Sequence, residues 1–189
     1  MKKSIFIIFC SLFLYVNING QTAKEYFESG VNKLNNQNYQ SAISDFNKAI
    51  ELNPKAVEAY NNRGSAKDFL GDYQEAISDF NKAIELDPKY AKAYYNRGTA
   101  ISKLGDYKSA ISDFSKAIKF NPKYAEAYNN RGGAKDFLGD YREAISDFNK
   151  AIELNPKYAE AYYNRGVVKD ELEDYRGAIS DFNKAIEIN

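Results

Sequence analysis

Between Val57 and Pro88 the apolar and small residues fall in two bursts: Tyr60, Gly64 and Leu70, then Tyr73, Ala76, Ile77, Phe80, Ala83 and Ile84. Steps of three and four place each burst on one helical face, so the pattern predicts two amphipathic helices. Gly71-Asp72 divides them. Glycine can take the left-handed conformation that ends a helix, and Asp72 with Glu75 three residues on has the form of a capping box for the next. Asp87-Pro88 closes the unit, because proline disfavours helix in the residue before it and its fixed φ suits a first turn. One unit is thus a helix hairpin.

The hairpin is written again, with small edits, every 34 residues. Tyr26, Tyr60, Tyr94, Tyr128 and Tyr162 form one column, Gly30, Gly64, Gly98, Gly132 and Gly166 a second, and Phe46, Phe80, Phe114, Phe148 and Phe182 a third. The Gly-Asp break weakens to Gln37-Asn38 and Glu173-Asp174 in the terminal copies. Five copies, at approximately 23–56, 57–90, 91–124, 125–158 and 159–189, follow without a linker and make residues 21–189 one all-α repeat domain. Gly64 and Ala76 are small enough to let the two helices of a hairpin approach, while Tyr60, Phe80, Ala83 and Ile84 need a neighbouring hairpin to cover them. Stability is therefore expected to come largely from contacts between neighbours along a solenoid.

Residues 1–20 follow another rule. Met1-Lys2-Lys3 is basic, Ile5 to Val16 is nearly unbroken apolar sequence, and Gly20 offers a small residue at a cleavage point. This reads as a secretory signal peptide cut after Gly20, which predicts a secreted or periplasmic protein. The apolar run falls short of the roughly 20 residues that cross a bilayer stably; an uncleaved anchor is the alternative. The single cysteine, Cys10, lies inside this run, so the mature domain needs no disulfide. Lysine plus arginine number 26 against 26 acidic residues, and without Lys2 and Lys3 the balance is 24 to 26. That balance argues against nucleic acid as a partner. Histidine is absent, and no phosphate loop, nucleophile elbow or metal-ligand spacing is found. A non-enzymatic protein without cofactor or metal is the expectation.

The period, the anchor Tyr with Gly four residues later, the Ala-Ile and Phe-x-x-Ala-Ile of the second helix and the closing Asn/Asp-Pro resemble the tetratricopeptide repeat, across five copies. The resemblance implies a right-handed superhelix whose first helices line a concave groove for peptides or partner segments. Two columns depart from the family pattern: Arg63, Arg97, Arg131 and Arg165 before the anchor Gly, and Asp45, Asp79, Asp113, Asp147 and Asp181 before the Phe. The first copy has Ser29 in place of Arg. This asymmetry suggests that each Asp meets the Arg 18 residues onward, in the next copy, as Asp45 with Arg63, Asp79 with Arg97, Asp113 with Arg131 and Asp147 with Arg165, leaving Asp181 over. Such pairs would fix register more than they add stability; a phosphate- or carboxylate-binding Arg column is the alternative.

On the groove that the resemblance implies, Asn62, Asn96, Asn130 and Asn164 form a column resembling the asparagine ladder that some superhelical members use on peptide backbones. Their amides either hold a peptide main chain or satisfy groups within the protein. Tyr95 and Tyr163 alternate beside them with Asn61 and Asn129, and Lys92 lies on the same surface. Phe69 and Phe137 are expected at the rim, packed against the adjacent helix. Glu58, Glu126, Glu160, Asp68, Asp136 and Asp170 outnumber Lys92 and Lys103 there, which favours a basic or neutral segment. The lysines of the cochaperone carboxylate clamp are not reproduced, since Phe27, Asn61 and Asn129 replace one of them. The expected function is a protein-interaction scaffold holding an extended peptide; the alternative is a structural or self-assembling envelope scaffold. The fifth hairpin keeps its apolar pattern to Ile188, so self-association through that end, or continuation into a longer protein, is a further expectation.

Overall fold

The computed structural model describes residues 21–188, which form ten helices and no strand. The expected signal segment lies outside the described residues. The helices are α1 (Ala23–Asn35), α2 (Tyr39–Leu52), α3 (Val57–Leu70), α4 (Tyr73–Leu86), α5 (Ala91–Lys103), α6 (Tyr107–Phe120), α7 (Ala125–Asp136), α8 (Tyr141–Leu154), α9 (Ala159–Glu171) and α10 (Tyr175–Ile188). Successive helices pair into five hairpins, and each hairpin packs on the next through its second helix. First helices also touch the first helices of neighbouring hairpins, whereas second helices do not touch one another. The first helices therefore line the inner side of the curve.

The breaks behave as their residues dictate. Gly71, Gly105 and Gly139 have φ of 88°, 85° and 80°, and in the terminal copies Gln37 and Glu173 take the same left-handed conformation at 59° and 64° despite a Cβ. The capping box expected at Asp72 is not formed, since its side chain makes no cap hydrogen bond. Asp106 does accept from the Ser109 N–H at 3.1 Å, and a reciprocal box joins Thr22 and Glu25 at the start of α1. Within the hairpin the close approach is real. A Cβ on Gly64 would lie 2.7 Å from the Phe80 ring and 3.1 Å from the Ala76 carbonyl oxygen. Phe46, Phe80, Phe114 and Phe148 are all at most 1% exposed, each in a slot that an alanine would already overfill.

The charge columns pair differently from the expectation. Arg63 binds Asp79, Arg97 binds Asp113, Arg131 binds Asp147 and Arg165 binds Asp181, each two-pronged and 16 residues onward within one hairpin. The proposed pairs Asp45 with Arg63, Asp79 with Arg97, Asp113 with Arg131 and Asp147 with Arg165 are not formed, and Asp181 is not left over. The reason is the antiparallel hairpin, which sets the Arg of the first helix directly against the Asp of the second. The link between copies runs through the third guanidinium nitrogen, which donates to Asn47, Asn81, Ser115 or Asn149 of the preceding hairpin. A lysine one turn beyond three of the four Arg adds a second cation: Lys67 to Asp79, Lys135 to Asp147 and Lys169 to Asp181, at 2.7–2.8 Å, while Ile101 follows Arg97. In the first hairpin Lys33 is the cation that pairs with Asp45, at 2.6 Å.

This arrangement sets the acid limit of stability. Burial works to raise the Asp45 and Asp181 carboxyls, but hydrogen bonds from Lys33 and Ser29 to the first, and from Arg165 and Lys169 to the second, hold both below the ordinary 3.8. A carboxyl depressed by folding stabilises fully above its unfolded pKa and ceases to do so as pH falls through the folded one. Thermal midpoints should therefore hold from pH 7 to about 5 and drop below about 4, and Lys33→Met should shrink that drop. Circular-dichroism melts between pH 2.5 and 7, as an order-of-magnitude range around those pKa values, check both statements; an unchanged midpoint at the acid end would contradict them.

Candidate functional site

The concave face carries the residues singled out above, but it uses them unequally. Asn61 and Asn129, expected to face a ligand, are 0% and 1% exposed. Asn61 donates to Asn62 at 3.2 Å and accepts from Asn96 at 3.0 Å. Asn129 spends both N–H groups on Asn130 and Glu160 and accepts from Asn164 at 3.1 Å. Both amides are enclosed and engaged within the protein rather than presented to a ligand, although Asn129 lies at the wall of the recess described below.

The Asn62, Asn96, Asn130 and Asn164 column sits above them, half-buried, and bonds from copy to copy. Asn96 donates to Asn61 and to the Ser65 hydroxyl, the latter at 3.2 Å, and Asn130 donates to the Tyr95 hydroxyl at 3.1 Å. Much of the column's capacity thus satisfies the protein itself. Among the described residues the Oδ1 atoms of Asn96 and Asn164 and the Nδ2 of Asn62 remain without a partner.

Tyr95 and Tyr163 occupy the same place in the repeat and meet different surroundings. The Tyr95 ring lies 4.8 Å from that of Tyr124 and 6.0 Å from that of Phe114. Burial, then the charge of Glu126, push its phenol up, and burial also raises those of Tyr124 and Tyr158, which keeps this tyrosine cluster neutral. Tyr163 is 55% exposed, with only Phe182 beside it at 5.7 Å. Lys92 is exposed and makes no ion pair among the described residues. Phe69 and Phe137 are 62% and 71% exposed, yet one face of each lies flat on Tyr39 and Tyr107, at 5.0 and 4.6 Å.

Of these residues Asn130, Asn164, Tyr163 and Phe137, with the enclosed Asn129, border one recess of about 610 Å³, running from α5 across α7 to α9. Thr99, Ser102 and Lys103 form one wall; Glu160, Tyr163, Asn164 and Val167 form the other; Asn130, Gly133, Asp136 and Phe137 lie between. Gly133 opens it. A Cβ there would meet nothing within 4 Å, whereas the equivalent positions carry Ser65, Thr99 and Val167. A recess of this size with convergent amides, carboxylates and two aromatic rings suits a side chain and a few backbone groups of another molecule. The tyrosine cluster and the part played by Gly133 escaped the sequence reading. The Asn/Tyr alternation was visible in the chain, but the burial of one tyrosine and the exposure of the other depend on the neighbouring copies, and the opening depends on Gly133 standing where other copies carry Ser65, Thr99 and Val167.

Stacked helix hairpins with an inner surface of first helices define an α-solenoid of the kind that serves as a protein-interaction scaffold. Profiles of the TPR repeat match residues 34–67, 70–105 and 138–169, and tetratricopeptide repeat profiles match 91–124, 159–189 and 114–146. The chain belongs to the tetratricopeptide-repeat family. Similar solved structures include MamA (29% identity, 84% of this chain and 93% of that one, TM-score 0.75) and the 41-end form of MamA from Desulfovibrio magneticus RS-1 (26%, 89% and 96%, 0.79). A third is YrrB, described as a TPR protein with an unusual peptide-binding site (28%, 94% and 91%, 0.71). No curated protein sequence matches significantly.

Proposed function

We propose that this protein is a non-catalytic scaffold that holds an extended peptide or partner segment in its concave groove, centred on the recess between α5 and α9. The observation that carries the reading is the opening at Gly133, which leaves about 610 Å³ beside exposed aromatic and partly unpaired amide groups. Tyr163 and the edge of Phe137 supply apolar grip, and the free oxygens of Asn96 and Asn164 accept from a peptide N–H. That YrrB, of similar fold, is a TPR protein with a peptide-binding site supports the reading.

Gly133 also provides a test that spares the fold. A side chain there enters open space, and replacing a helical glycine is expected to stabilise by about 0.5–1 kcal/mol. Gly133→Leu should therefore melt no lower than the wild type while filling the recess. Panning a random peptide display library on residues 21–189 and on their Gly133→Leu variant should enrich sequences on the first alone. Equal enrichment on both, or none on the wild type, would overturn the proposal.

A further inference from the structure

A second period, twice the hairpin, runs along the concave face. The second and fourth hairpins share Glu58 and Glu126, Asn61 and Asn129, Asp68 and Asp136; the third and fifth share Tyr95 and Tyr163. Among the positions that break this pairing, Lys92, Ser102 and Lys103 of the third hairpin become Glu160, Asp170 and Glu171 in the fifth, each a step toward negative charge; the one cation gained, Lys169 in place of Ile101, is taken up by Asp181.

The consequence is visible at Lys103. Its ammonium nitrogen lies 2.6 Å from Asp68 Oδ2 and 5.2 Å from the centre of the Tyr73 ring, a carboxylate and an aromatic face holding one cation. Two hairpins on, Asp136 and Tyr141 stand where Asp68 and Tyr73 stand, but the residue in the place of Lys103 is Glu171. Among the described residues neither Asp136 nor Glu171 has an ion pair or side-chain hydrogen bond. The neighbouring lysines are committed elsewhere, Lys135 to Asp147 at 2.7 Å and Lys169 to Asp181 at 2.8 Å. Burial, then the charge of Glu171, raise the Asp136 carboxyl. The second junction thus keeps the carboxylate and ring that bind an ammonium group in the first, and replaces the internal cation by another anion. Asp136 also borders the recess, with Glu160 on its far wall.

We propose that this place receives the Lys or Arg side chain of an extended peptide in the groove, its cationic head taking at Asp136, Tyr141 and Glu171 the position that Lys103 fills at Asp68 and Tyr73. The inference rests on the groove reading and names the chemistry of its ligand. Glu126 and Glu160 extend the negative surface and draw a basic segment toward the recess.

Panning the same display library on the wild type should return sequences with one fixed Lys or Arg, and on Glu171→Lys sequences without that preference. Glu171→Lys should also melt higher than the wild type in the absence of peptide, because it rebuilds the Asp68–Lys103 pair at the second junction. For a synthetic peptide of the wild-type pool, Asp136→Asn should weaken binding roughly tenfold or more, the worth of a charge-assisted contact, and replacing the basic residue by citrulline or norleucine should do the same. Enrichment on the wild type without a basic position would overturn this inference and leave the groove reading standing. No enrichment at all would overturn both, and an unchanged or lowered melting point of Glu171→Lys would remove the internal precedent.

Discussion

Arg97→Ala is expected to destabilise the array by about 3–5 kcal/mol, the cost of leaving a buried charge without its partner, and by more than the same change at Arg131. Both arginines fork onto a buried aspartate, Asp113 at 3% and Asp147 at 4% exposure. The difference lies one helical turn away. Lys135 reaches Asp147 at 2.7 Å, whereas the corresponding residue of the third hairpin is Ile101, which packs into the apolar cluster around Phe114. Removing Arg131 therefore leaves a compensated carboxylate and costs roughly 2 kcal/mol of charged hydrogen bonding; removing Arg97 leaves none. Arg97→Met with Asp113→Leu should recover most of the loss, since an apolar pair of similar volume replaces a buried ion pair at little or no cost. Urea unfolding of the two single variants and the double variant measures all three terms. Equal losses at Arg97 and Arg131, or a double variant no better than Arg97→Ala, would show that Asp113 finds its compensation elsewhere.

The same residues show what could be read from the chain. The hairpin, its period and the close approach at the anchor Gly were legible, because each is a local pattern repeated five times and repetition removes the ambiguity of any single copy; that the Phe ring of the same hairpin fills the space at that Gly was not. The partner of each Asp was not. The missing Arg at Ser29 suits pairing between copies, but it suits pairing within a hairpin equally once Lys33 is seen as the substitute cation. The clue lay in a further column, Lys33, Lys67, Lys135 and Lys169, broken only by Ile101. The groove was half legible for a related reason. The repeat columns and the resemblance place Asn and Tyr side by side on the first helices, yet whether an amide faces outward or is closed over depends on what the neighbouring copy sets against it. Asn61 and Asn129 are covered and Tyr163 is not, which is a property of the stack rather than of any one copy.

Dependence on neighbours also governs the largest packing effect. Phe114 is 1% exposed and fills the slot under Gly98, where even a Cβ would come within 2.9 Å of its ring. It joins Ala110 of its own helix to Ala134 of the next hairpin and lies 6.0 Å from the ring of Tyr95. Truncation to alanine leaves a cavity that these neighbours cannot collapse into, at a cost of about 3–5 kcal/mol. The position of the loss matters as much as its size. In a solenoid stability is a sum of unit and interface terms, and the third hairpin contributes to interfaces on both sides. Phe114→Ala should therefore uncouple the first two hairpins from the last two and turn one unfolding transition into two. Phe182 occupies the same column in the last hairpin but is only partly buried, so Phe182→Ala should cost less and leave unfolding a single step from the rest of the array. Urea titrations followed by far-ultraviolet circular dichroism separate the cases. A single sharp transition in Phe114→Ala with the same midpoint as Phe182→Ala would mean that these hairpins do not depend on one another in the way their packing implies.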